Sequence, residues 1–178
     1  MELAAQRLTT SPQAVREQLN QTRKLVRDSL AEARSSIWNL RSNEPGSVDF
    51  AAKFSTAIRA RTASKPIETN IQFTGTYRSL SADVESELIK IALEAVANVL
   101  QHADATRLDI QVRYEIGRLT MQIEDNGIGL SSEMADAIPA GHFGLIGMRE
   151  RTHAIGGEFS INSAPAEGTK ITVEIPLN

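Results

Sequence analysis

Residues 108 to 124 constrain the fold more than any other stretch. Leu108-Asp-Ile-Gln-Val-Arg-Tyr114 alternates apolar and polar side chains, Gly117 offers a turn, and Leu119-Thr-Met-Gln-Ile-Glu124 alternates again. A period of two is the mark of a strand with one buried face, so the pair predicts an antiparallel hairpin. The second strand runs straight into Asp125-Asn-Gly-Ile-Gly129, a carboxylate followed by spaced glycines. Such a loop at a strand end can let backbone approach a ligand closely. Ordinary Asp-Asn-Gly turn chemistry explains the isolated pentapeptide equally well.

The flanking segments alternate between helix and strand signals. Val48 to Thr62 places Phe50, Phe54 and Ile58 on one helical face, and Ile67-Glu-Thr-Asn-Ile-Gln-Phe73 has the alternation of a strand. Ser81 is an N-cap for a helix whose apolar stripe is Val84, Leu88, Ile91, Ala95 and Val99. Glu94, Asn98 and Gln101/His102 form a polar stripe about 100° away around that axis. After the Asp125 loop, Ser131 to Ile138 reads as a short helix and Gly144 to Ile155 as a firmer one. Glu158 to Ile161 and Lys170 to Ile175 read as closing strands, with Gly156-Gly157 a turn. Helices before and between antiparallel strands predict an α+β two-layer α/β sandwich.

Upstream, Ser11-Pro12 is a helix start, and Val15, Leu19, Val26, Leu30, Ala33, Ile37 and Leu40 recur at helical steps through residue 42. The narrow seam of this long N-terminal helix suits a coiled coil or bundle with a partner helix; the alternative is a helix lying on its own domain. Asn43-Glu-Pro-Gly-Ser47 breaks the pattern, giving a partial helical segment at 1–44 and a second unit at 48–178. Met1-Glu-Leu-Ala-Ala begins mid-pattern, as a piece cut from a longer chain does.

Composition removes several classes. A net charge of −3 leaves no overall basic field for nucleic acid or anionic lipid, and 4% aromatic residues argue against a stacking platform for single strands. The chain has no cysteine, so disulfides and thiolate zinc sites are excluded; this fits a reducing, cytoplasmic compartment. No apolar run approaches the roughly 20 residues that cross a bilayer. No membrane contact by this chain is therefore expected, whatever anchors a longer parent.

The polar stripe and the glycines carry the chemistry. Asn98 offers an amide oxygen of the kind Mg²⁺ accepts, completing its octahedron with water and phosphate oxygens. Glu94, one turn earlier, can orient or deprotonate a group attacking a γ-phosphate; Glu and Asn at this spacing are also common on a solvated helix face. Asp125 can accept a hydrogen bond from an exocyclic amine of adenine. Gly141, Gly144 and Gly147 lead into a helix whose N-terminal N–H groups can hold phosphate. Their spacing matches neither the Rossmann fingerprint nor a P-loop. Gly168-Thr169 either closes one wall or begins the last strand.

Taken in order, Glu94-Ala-Val-Ala-Asn98-Val-Leu-Gln-His102-Ala, Asp125-Asn-Gly-Ile-Gly129-Leu, His142-Phe-Gly144-Leu-Ile-Gly147-Met-Arg-Glu-Arg151 and Glu167-Gly168-Thr169 resemble the boxes of the GHKL ATPase superfamily. The Gly-Leu-x-Gly-Met-Arg-Glu-Arg run resembles in particular the sensor histidine kinases that signal to NarL-type response regulators. Residues 12 to 42 are similar to the second helix of their dimerisation and phosphotransfer hairpin. The resemblance implies a Bergerat-type fold with a mixed, mostly antiparallel sheet. It implies ATP and Mg²⁺ as cofactors, with Asn98 holding the metal, Asp125 reading adenine, Glu94 assisting phosphoryl transfer and His102 near the phosphates. Gly127, Gly129, Gly141, His142, Gly144, Leu145, Gly147, Met148 and Thr169 would line the site, and Leu130 to Phe143 would form an ATP lid. The partners implied are a response regulator and a second copy joined through the hairpin.

Two departures stand out. No His followed by an acidic residue lies upstream of residue 12, where that family carries its phosphoacceptor, so a truncated chain is expected. Gln101 stands where many members have lysine. Two other functions compete with the histidine kinase: an anti-sigma-type serine/threonine kinase using the same pocket, and a nucleotide-free dimerisation module.

Overall fold

The structure, a computed structural model, describes residues 15, 16, 18, 19, 22, 26, 47–130 and 143–177. Val15, Arg16, Gln18, Leu19, Thr22 and Val26 are helical, and Leu19 and Val26 of the expected seam are 59% and 52% exposed. The remainder of the 12–42 helix, the 43–46 break and the short helix expected over 131–138 lie outside the described residues.

From residue 47 the elements follow the order α1 (Ser47–Thr62), β1 (Glu68–Gly75), α2 (Ala82–Asn98), β2 (Arg107–Glu115), β3 (Arg118–Asp125), α3 (Phe143–Ala154), β4 (Glu158–Ala164) and β5 (Gly168–Pro176). The sheet order is β1-β2-β3-β5-β4. β1 and β2 run parallel, while the β2–β3, β3–β5 and β4–β5 pairs are antiparallel. The expected hairpin is present: Glu115 pairs with Arg118 across a two-residue turn.

One face of the sheet is apolar. Leu108, Ile110 and Val112 of β2, Leu119, Met121 and Ile123 of β3, and Ile171, Val173 and Ile175 of β5 are all buried. Helices α1, α2 and α3 cover that face with the stripes their periodicity predicts: Phe50, Phe54 and Ile58 of α1 and Leu88, Ile91 and Ala95 of α2 are buried. Phe73 of β1 meets Phe50 and Phe54 edge-on, with centroids 6.2 and 5.7 Å away, a geometry that adds about 0.5–1.5 kcal/mol per pair beyond area burial. The opposite face is polar and carries ladders such as Lys170–Glu124 at 2.8 Å and Arg107–Asp109 at 2.9 Å. A sheet with one dry and one wet face, under one helix layer, is the two-layer sandwich expected.

Three helix ends are set by local chemistry, and one of them, the far end of α2, borders the site. Ser81 caps α2 by accepting the Val84 N–H at 3.3 Å. At the other end, Val99–Ala103 continues as a π-helical turn and stops at Asp104 in the left-handed region. A π-turn widens the helix by one residue and is over-represented beside functional sites. α3 ends in a Schellman motif: Gly156, at φ 74°, donates to the His153 carbonyl at 2.9 Å, and Gly157 donates to Thr152 at 2.9 Å.

A candidate nucleotide site at the end of β3

The Asp125 loop is not a hairpin turn. Asp125 is the last residue of β3 and 5% exposed, and its Oδ1 accepts the Gly127 N–H at 2.8 Å. Asn126, beside it, faces outward: its Oδ1 accepts the N–H groups of Thr106 and Arg107 at 3.0 and 2.8 Å, and its Nδ2 donates to Thr106 Oγ1 at 2.9 Å. This side chain staples the entry of β2 to the exit of β3. Ile128 N–H donates to the Ala103 carbonyl at 2.8 Å, which docks the loop on the π-turn that extends α2. A β-carbon on Gly127 would run into that same carbonyl, so only glycine permits the approach.

The far side of the loop is held by β4 and β5. Ala166 N–H donates to the Ile128 carbonyl at 2.7 Å, and Leu130 N–H donates to Ser163 Oγ at 2.8 Å. Gly129 has φ 70° and backs onto the Ala164 carbonyl. Thr169 pairs with Asp125 across β3 and β5. Burial pushes the Asp125 carboxyl above its ordinary value, the N–H groups of Gly127 and Thr169 pull it back, and the Glu124 charge raises it further. A buried carboxylate with two N–H donors still has acceptor capacity for a ligand amine.

On α2, Glu94 is exposed and Asn98 half-buried. Gly144, at the start of α3, lies against both: a β-carbon there would overlap Glu94 Oε1 and come within 3.4 Å of Asn98 Nδ2. Two sequence motifs 46 residues apart are thereby brought to one place, the helix N-terminus facing a carboxylate and an amide. An Asn98 amide beside the Glu94 carboxylate fits Mg²⁺, which needs few protein oxygens when phosphate and water complete its shell. Gly147 has open space where a side chain would be. His102 is exposed on the π-turn. Leu145 and Met148 have their side chains in the hydrophobic core, so what α3 can offer a ligand near them is backbone. Gly141 and His142 lie outside the described residues.

Sequence reasoning assigned no part to Ser163 or Asn126. Ser163 had a readable signal: Phe159, Ile161 and Ser163 alternate along β4, so a hydroxyl occupies a position where the pattern calls for an apolar side chain.

With this geometry in hand, comparison with known proteins decides the family. The model of the histidine kinase-, DNA gyrase B- and HSP90-like ATPases matches residues 83–178. The chain belongs to this ATPase family. A second model, described as histidine kinase, matches residues 1–45 of this ATPase-family chain. Among curated relatives, the signal transduction histidine-protein kinase/phosphatase DegS of Brevibacillus brevis is 29% identical over 90% of this chain and 41% of its own length. The sensor protein VraS of Staphylococcus haemolyticus (strain JCSC1435) is 37% identical over 53% of this chain and 26% of its own. The chain thus spans less than half the length of these curated relatives. Among solved structures, the histidine kinase domain of a blue-light activated histidine kinase from Erythrobacter litoralis has a TM-score of 0.58 at 21% identity, covering 88% of this chain and 74% of that one. A mycobacterial sensor histidine kinase, MprB, has a TM-score of 0.56 at 17% identity over 72% of this chain and 93% of that one. These two show a shared fold.

Proposed function

We propose that residues 48–178 are the ATP-binding catalytic unit of a two-component sensor histidine kinase, and that residues 1–44 are part of its helical dimerisation and phosphotransfer segment. The apposition of Gly144 to Glu94 and Asn98 is the single observation that carries this reading, because it joins a phosphate-binding helix end to a metal-compatible pair. The match of residues 1–45 to a histidine kinase model and the names of the relatives support the choice of acceptor chemistry.

In this reading the protein positions ATP and neutralises its charge, which is most of what phosphoryl transfer asks of a catalyst. Asp125 accepts the adenine amino group. The N-terminal N–H groups of α3 face the phosphates, with His102 on the π-turn close by. Glu94 orients the attacking histidine, supplied from outside this chain, or takes its proton. Magnesium, held through Asn98, would supply charge neutralisation on the phosphate oxygens. The γ-phosphate then passes from the histidine to an aspartate of a response regulator, of the NarL-type group, and a parent protein in the cytoplasm or anchored in the membrane pairs with a second copy through the hairpin.

Isothermal titration of the chain with Mg²⁺ and a non-hydrolysable ATP analogue tests the first step; a wild-type chain that folds and takes up no nucleotide defeats the proposal. Incubation with labelled ATP and a histidine-bearing helical hairpin tests the second. Acid-labile phosphate on the hairpin is expected, and acid-stable phosphate would move the assignment to a serine/threonine kinase.

A further inference from the structure

Ser163 on β4 joins three parts of the site through one oxygen. A serine hydroxyl has one proton to donate and two lone pairs to accept with. The proton goes to the Gly168 carbonyl at 2.8 Å, since a carbonyl oxygen only accepts. One lone pair takes the Leu130 N–H at 2.8 Å. The remaining contact, to Thr169 Oγ1 at 2.9 Å, must then use the threonine's proton, because the serine's is already placed. Thr169 Oγ1 is left with lone pairs alone.

That matters because Thr169 is the cross-strand partner of Asp125. Directly paired residues on adjacent antiparallel strands share a face, with β-carbons about 4.5–5.5 Å apart. A threonine proton free to turn would have a buried carboxylate next to it, or could meet a ligand carbonyl. Drawn to Ser163, it does neither.

We propose that Ser163 is a positioning residue for base selection: by drawing the Thr169 proton to itself it leaves Asp125 and Thr169 as a pair of acceptors. An acceptor-only wall favours a purine bearing an amino group at its six position and rejects one bearing a carbonyl there, which would set oxygen against oxygen. The inference rests on the nucleotide reading above.

The test is titration of the full chain with the Mg²⁺ complexes of adenosine and inosine triphosphates. Wild type should prefer adenosine, and Ser163→Ala should lower that preference by roughly five- to tenfold, the size of one neutral hydrogen bond gained by the wrong base. Ser163→Thr, which keeps a hydroxyl, should retain it. Ser163→Ala combined with Thr169→Val should restore it, since the freed proton is then gone; loss of packing at Ser163 alone would not be reversed by a second substitution. If Ser163→Ala shows no cooperative melting, Ser163→Cys takes its place, with a smaller relaxation expected from the weaker thiol. An unchanged ratio in the single variant, or a relaxed ratio that persists in the double variant, overturns the inference while leaving ATP binding intact. A wild-type chain that binds neither nucleotide overturns the nucleotide reading and this inference together.

Discussion

The α-carbon of Gly144 rests against the Glu94 carboxylate with no room for a β-carbon between them. Because Glu94 is the exposed end of a flexible side chain, Gly144→Ala should be accommodated by moving the carboxylate rather than the helix. Alanine is the better helix former by up to about 1 kcal/mol, so the melting temperature should hold or rise slightly. Nucleotide affinity should fall by roughly tenfold, about 1.4 kcal/mol, as the displaced carboxylate crowds the helix end. Differential scanning calorimetry alongside titration calorimetry separates the two effects; a loss of stability that matches the loss of affinity would contradict this account.

Asp125→Asn replaces the buried carboxylate with an amide that can still accept the Gly127 N–H. The fold should survive while affinity for adenosine triphosphate drops by about 1.5–3 kcal/mol, the value of a hydrogen bond to a charged group. Retained affinity in a well-folded variant would mean that Asp125 does not touch the base.

The same residue sets a pH dependence. Its folded-state pKa is raised, chiefly by burial, above the ordinary 3.8. Protonation is thus favoured by folding, and the associated stability is present below the ordinary carboxylate value and lost as pH rises through the raised one. Asp125→Asn, neutral throughout, should therefore match or exceed wild-type stability at pH 7 and lose that advantage on acidification. Urea denaturation at pH 7 and pH 4 measures the difference; an advantage that grows toward acid would show that the sign is wrong.

Asn126→Ala removes the staple between Thr106, Arg107 and the exit of β3. Three hydrogen bonds at the surface, each replaceable by water, should together contribute about 1–2 kcal/mol. Asn126→Asp keeps the two acceptor contacts and should cost less. A lower urea midpoint with an unchanged slope is expected, a loss of stability with no change in the surface exposed on unfolding; an unchanged midpoint would show that the staple contributes nothing.

Arg151 reaches from α3 to Glu87 on α2 at 3.0 Å, and Lys90 reaches the other oxygen at 2.7 Å. The Lys90 hydrogen bond first, then that of Arg151, holds the Glu87 carboxyl below its ordinary value. That stability is present above the ordinary value and lost as pH falls through the lowered one. The groups are partly solvated, so Glu87→Gln should cost no more than about 1 kcal/mol at neutral pH. Comparing melting temperatures in low salt and in 1 M salt checks it: the gap between variant and wild type should close as salt screens the pair.

Sequence alone determined what depends on near neighbours. The period-two runs located β2 and β3, the 3.6-residue period named Phe50, Phe54 and Ile58 or Leu88, Ile91 and Ala95 as buried stripes, and Gly156 marked a helix end. Those signals are local because backbone geometry repeats every two or 3.6 residues regardless of what packs on it. The boxes around Asn98, Asp125, Gly144 and Thr169 were likewise readable as types at spacings. Only the tertiary structure decided which of them meet. β5 enters between β3 and β4, which sets Thr169 opposite Asp125; the π-turn after Asn98 carries Ala103 to the Asp125 loop; and Gly144 folds back onto Glu94. Ser163 remained silent until its neighbours were known, since a hydroxyl acquires a direction only from the donors and acceptors that the rest of the chain brings within 3 Å of it.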